Sequence, residues 1–186
     1  MKSDEELYML FLQGHTECYD ELMVRYGDAL TAYLKGYLQS FEDAEDLMIE
    51  AFANIMAKKP KIKHGFKAYL FRTGHNLVYH LYVKEKRLKV FSLDDLNEEC
   101  TSDGENFEDK LCNDEQKKAL HRCIGRLDPG LREAVWLVYF EKLSYDQTAD
   151  IMDVSKKKVD YMLTRAKVVL KRELEKEGYS GLTTFL

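Results

Sequence analysis

Apolar residues recur every three or four positions through most of this chain, and only two prolines interrupt its 186 residues. That period lines up side chains along one face of an α-helix, and no segment alternates in the way a strand requires. From about Thr16, the residues Tyr19, Leu22, Met23, Tyr26, Leu30, Tyr33, Leu34 and Tyr37 hold one stripe over several turns. A second stripe follows a cap at Ser40: Ala44, Leu47, Met48, Ala51, Phe52, Ile55 and Met56, ended by Pro60. A shorter helix precedes both, from Asp4 to Leu12. A longer one follows the turn PKIKHG, running from Phe66 to about Arg87, with Phe66, Tyr69, Leu70, Thr73, Leu77 and Leu81 as its expected inner face.

Between Val90 and about Glu115 the period disappears, and acids, Ser92, Asn97 and Gly104 fit a flexible connection. Periodicity returns near Gln116 with Leu120, Cys123, Ile124 and Leu127. The Asp128-Pro129 pair then punctuates the chain, and Leu131 to Phe140 continues it. The expected fold class is therefore all-α, with two small helical domains joined by an acidic linker. The expected boundaries are 1–90, 91–115 and 116–178, with a short tail at 179–186. A hydrophobic share of 45% is enough for folded cores rather than disorder.

A formal net charge of -5 argues at first against a nucleic-acid partner, but a groove senses the local field. Between Lys61 and Lys89 the bases Lys61, Lys63, Lys67, Arg72, Lys84, Lys86, Arg87 and Lys89 face Glu85 alone. From Asp94 to Glu115, ten acids face only Lys110. From Ser155 to Arg172 Asp160 is the one acid. Two basic patches on either side of an acidic tether suggest two nucleic-acid contacts joined by a segment that avoids phosphate.

The second patch has more internal order. Ser144 with Gln147 three residues on is a capping box, Asp153 tolerates a tight turn, and Ser155 caps a further helix. That helix carries Val159, Met162, Leu163, Ala166, Leu170 and Leu174 on one face, and Lys156, Lys157, Lys158, Tyr161, Thr164, Arg165 and Lys167 on the other. A short capped helix, a tight turn and a basic amphipathic helix describe a helix-turn-helix whose second helix enters a major groove. Taken alone, a surface hairpin with a solvated basic face fits the same pattern.

Three segments in order carry a resemblance. DAEDLMIEAFANIM (Asp43 to Met56) resembles the acidic helix that sigma factors set against the clamp of RNA polymerase. FKAYLFRTGHNLVYHLYVKEKR (Phe66 to Arg87) is similar to the helix that reads and opens the −10 promoter element. The stretch from Leu127 to Leu170 resembles the domain that reads the −35 element. Order, spacing and length resemble the extracytoplasmic-function (ECF) class of the sigma-70-type family, over nearly the whole chain except linker and tail.

The resemblance implies a factor without catalytic activity that binds core RNA polymerase and promoter DNA and is commonly held by an anti-sigma protein. By position it implies a polymerase-binding surface at Asp43, Asp46, Ile49 and Glu50, with Ile49 where the family usually has glutamine. For the −10 element it implies Lys63, His64, Phe66, Lys67, Arg72, Asn76, Tyr79, Lys84, Lys86 and Arg87, with His64 and Phe66 as stacking groups for an extruded base. Tyr69 stands where the family commonly has tryptophan. For the −35 element it implies Ser155, Lys156, Lys157, Lys158, Tyr161, Thr164 and Arg165. Asp160 and Met162 stand where the family often has basic residues, which implies either an unusual −35 preference or weaker −35 binding.

No P-loop, H-E-x-x-H or G-x-S-x-G motif occurs, and no small-molecule substrate or cofactor is expected. Cys112, His121 and Cys123 match no standard zinc spacing, so no metal is expected and the four cysteines are read as free thiols. The acidic N-terminus lacks a signal-peptide core and no apolar run reaches spanning length, so a soluble, cytoplasmic protein without membrane insertion is expected.

Overall fold

A computed structural model describes residues 2–38, 40–63, 65–85 and 114–179, and the chain divides into two compact units, 1–89 and 90–186. All regular elements among the described residues are helical.

In the first unit, α1 (Asp4–Leu12) begins with a reciprocal cap. The Glu6 N–H donates to the Ser3 hydroxyl at 3.2 Å, and the Ser3 N–H donates to the Glu6 carboxylate at 2.8 Å. Its Leu7, Tyr8 and Phe11 are buried against α2 (Glu17–Lys35), whose own inner face includes Tyr19, Leu22, Leu30, Tyr33 and Leu34. Tyr37 lies just beyond the end of α2. α3 (Phe41–Lys58) is capped by Ser40 and ends on Lys59, whose left-handed backbone (φ 45°) turns the chain into Pro60. Two tyrosines fasten these pieces across the core: the Tyr19 hydroxyl donates to the Phe52 carbonyl at 2.7 Å, and the Tyr8 hydroxyl to the Pro60 carbonyl at 2.8 Å.

α4 (Phe66–Glu85) buries a different face from the expected one. Phe66 and Leu70 are inside as predicted, but their companions are Ala68, Phe71, Gly74 and Val78. Tyr69, Thr73 and Leu77 are half-buried, and Leu81 is exposed. The reason is close approach to α2: a Cβ on Gly74 would lie 3.0 Å from Leu30 Cδ1 and 3.3 Å from Leu34 Cδ2. Only the face carrying that glycine lets the helices meet so closely, and it brings the Phe71 ring to 5.3 Å from that of Tyr33. Met56, expected inside on α3, is likewise exposed.

In the second unit, α5 (Asp114–Gly125) starts inside the span assigned to the linker and buries Ala119, Leu120, Cys123 and Ile124. Asp128-Pro129 starts α6 (Pro129–Val135), with the proline in the first turn where its missing N–H costs nothing. The chain then widens into a π-helical turn, Trp136–Phe140, marked by the Glu141 N–H reaching back to the Trp136 carbonyl. α7 (Tyr145–Ile151) carries the predicted Ser144/Gln147 box, and Asp153 takes the left-handed conformation (φ 51°) between the helices. α8 (Lys156–Lys176) is capped by Ser155 and buries Val159, Met162, Leu163, Ala166, Leu170 and Leu174. Each fully buried leucine of that seam contributes about 1.5–3 kcal/mol.

Candidate nucleic-acid interface

The outward face of α3 is acidic through its first turns and apolar towards its C-terminal end. Glu42, Asp43, Glu45, Asp46 and Glu50 are exposed, the first of them crowding the N-terminal turns where the helix dipole favours anions. In line with Glu42 and Asp46 run Ile49 (51% exposed), Ala53 and Met56 (48%), a strip opposite the core stripe. All four predicted polymerase-contact residues, Asp43, Asp46, Ile49 and Glu50, are therefore on accessible surface. Met56 and Ala53 extend that surface beyond the sequence reading. Their spacing of seven and four from Ile49 was the available signal.

α4 presents Arg72, Asn76, Tyr79 and His80 on the side away from α2. With Tyr69, Thr73 and Leu77, and with Asn54, Ile55 and Lys58 of α3, part of this side borders a cleft of about 250 Å³. Lys63 is exposed on the preceding turn. Lys67 is half-exposed, with its ammonium 5.6 Å from the ring centroids of both Tyr26 and Phe71. Phe66 is a correction. It is 2% exposed, with the rings of Tyr8, Tyr19, Tyr26 and Phe52 at centroid distances of 5.5–6.3 Å, so its ring is not available to stack on a base. Tyr69, expected in the core, stands beside the cleft instead. His64, Lys86, Arg87 and the side chain of Lys84 lie outside the described residues.

α8 gathers its predicted set on one side. Ser155, Lys156, Lys157, Lys158, Tyr161, Thr164 and Arg165 are all exposed, as are Asp160 and Val168. Lys156 pairs with Asp146 of α7 at 2.6 Å across the turn between the two helices. Arg165 donates to the Tyr161 hydroxyl at 3.0 Å, and Lys158 lies 5.3 Å from the Tyr161 ring centroid. Behind this face, Arg122 of α5 and Arg126 just after it each reach Glu177 at 2.8 Å, so the far end of α8 is tied down by ion pairs. Lys176 and then nearby arginines hold Glu173 below the usual carboxylate range, and Arg122 with Arg126 does the same for Glu177.

Among the described residues no group of three or more His, Cys, Asp or Glu is placed to hold a metal ion. Cys18 and Cys123 are buried free thiols, while Cys100 and Cys112 lie outside the described residues. No described helix is long and apolar enough to cross a membrane.

Sequence comparison assigns both halves to one family. Sigma-70 region 2 matches residues 22–88, and Sigma-70, region 4 matches residues 117–170. The chain belongs to the sigma-70 family. The RNA polymerase sigma-H factor of Pseudomonas aeruginosa is 23% identical over 183 residues, covering 94% of this chain and 95% of that one. The ECF RNA polymerase sigma factor SigM of Bacillus subtilis is 27% identical over 157 residues, covering 82% and 92%. In fold, the sigma factor is similar to RpoE from Bartonella quintana, solved in complex with the anti-sigma factor NepR. That match has a TM-score of 0.59 and 20% identity, over 84% of this chain and 96% of RpoE. The sigma factor is of the ECF type, with region 2 falling within the first unit and region 4 within the second.

Proposed function

We propose that this sigma factor docks on core RNA polymerase through the outward face of α3 and grips two promoter elements, one with each helical unit, catalysing no reaction itself. Residues 1–90 form the core-binding and −10 unit, the acidic connection ends before α5 begins at Asp114, and 114–178 form the −35 unit. Ile49, Ala53 and Met56 supply the desolvated centre of the polymerase contact, rimmed by Asp43, Asp46 and Glu50. Lys63, Arg72, Asn76 and Tyr79 face the −10 strand, with His64, Lys84, Lys86 and Arg87 as further contacts. Capture of unpaired bases shifts the duplex towards its open form without nucleotide hydrolysis.

One observation carries the reading: behind a capped tight turn, α8 sets Lys157, Lys158, Tyr161, Thr164 and Arg165 on a single exposed face. The lysines supply affinity for phosphate, and Arg165 is the group best suited to a base edge. The chain works in the cytoplasm, where polymerase and promoters are, and an anti-sigma protein holds it by covering its promoter-reading faces, as the solved complex of its relative RpoE suggests. Lys157→Glu and Arg165→Glu test the −35 assignment. Each is expected to lower promoter-specific run-off transcription by roughly tenfold or more, while binding to core polymerase stays intact. Normal transcription by both variants would place the recognition helix elsewhere.

A further inference from the structure

Three exposed side chains of α8 form a connected unit. Tyr161 is 51% exposed one turn ahead of Arg165, and it accepts a hydrogen bond from Arg165 Nη1 at 3.0 Å. On its other side the ammonium of Lys158 is 5.3 Å from the ring centroid. The hydrogen bond from Arg165, then the charge of that residue and of Lys158, pushes the Tyr161 phenol below its ordinary value. Lys156, by contrast, is engaged with Asp146 at 2.6 Å.

We propose that Tyr161 is a positioning residue that sets the Arg165 guanidinium for one guanine of the −35 element. An arginine side chain loses rotamer freedom when it commits to a base edge, and a tether made before DNA arrives reduces that loss. With one Nη1 hydrogen on the phenol oxygen, Nη2 and Nε still offer the parallel pair of donors that guanine O6 and N7 accept. Lys158, held against the ring face, supplies phosphate affinity beside the reader without competing for the base. The inference rests on reading α8 as the recognition helix.

Tyr161→Phe in the full chain tests it, because the substitution keeps the ring and its lysine contact and removes only the oxygen. The assay is run-off transcription with core polymerase on templates carrying each base at each −35 position. The wild-type chain is expected to prefer guanine at one position, and Tyr161→Phe to reduce that preference by roughly tenfold with an unchanged salt dependence. Arg165→Ala should remove the same preference, and adding Tyr161→Phe to it should change nothing further. An unchanged preference in Tyr161→Phe overturns the proposal, as does an equal loss on every template or a wild type indifferent to guanine. A wild type that starts at no promoter would instead overturn the sigma reading beneath it.

Discussion

Phe66 and Arg72 sit six residues apart on α4 and face opposite ways, one packed among four aromatic rings and the other in solvent. Truncating Phe66 to alanine opens a core cavity and is expected to cost about 3–5 kcal/mol in urea unfolding. Arg72→Ala should stay within about 0.5 kcal/mol and impair promoter opening instead. Should Phe66→Ala keep full stability while losing promoter opening, the ring would belong to the DNA surface after all. Ile49 makes the same point from the other side, since it is apolar yet half-exposed. Ile49→Glu is expected to leave stability unchanged and to weaken core-polymerase binding by about fivefold or more in a competition assay. Residue type was legible in the sequence at each of these positions. Direction was legible at Arg72 and Ile49, whereas Phe66 carried two readings, inner face and base-stacking group, and four rings from outside α4 decide for the first.

Helix ends were the most readable elements, and the reason is range. The Ser40, Ser144 and Ser155 caps bond an N–H three residues on, so a short window of sequence holds the whole interaction. The left-handed Asp153 between α7 and α8 is equally local. The inner face of α4 was not legible, because two adjacent apolar stripes compete there and the choice falls to Gly74 against Leu30 and Leu34. The π-helical turn Trp136–Phe140 left no periodic trace either; across it the Trp136 and Phe140 rings stack at 4.9 Å. Ser155→Ala should cost about 1 kcal/mol in chemical unfolding, and the same change at Ser144 about as much. The ion pairs that tie α8 to α5 predict an acid dependence. Glu173 and Glu177 have lowered values in the folded state, so their contribution is complete above the ordinary carboxylate range and is lost as pH falls through the lower folded values. Glu177→Gln should flatten the acid limb of the melting-temperature profile, and 1 M salt should do likewise. An acid limb that Glu177→Gln leaves untouched would remove the pairs from the account.

At the scale of the molecule, two helical units each close a core of their own, the first rich in tyrosine and phenylalanine and the second holding the chain's one tryptophan, Trp136. Fluorescence of Trp136 therefore reports the second core, while helical circular dichroism reports both. Phe66→Ala is expected to lower a dichroism transition and leave the tryptophan transition where it was. Coincident shifts in both signals would mean the cores unfold as one. The all-α class and the division into two parts could be read from periodicity and charge because both are properties of long stretches. The start of α5 at Asp114 could not, since acids there look the same in a linker and in a helix's first turn. The net negative charge also hid the basic faces until they were sorted by helix side. The central claim is that these faces act on DNA only as part of polymerase, and run-off transcription with the purified chain and core polymerase tests it most directly. Discrete start sites are expected when both are present, and neither those starts nor tight promoter binding with the chain alone. Absence of any new start with core polymerase, or equally tight and specific duplex binding without it, would contradict the account.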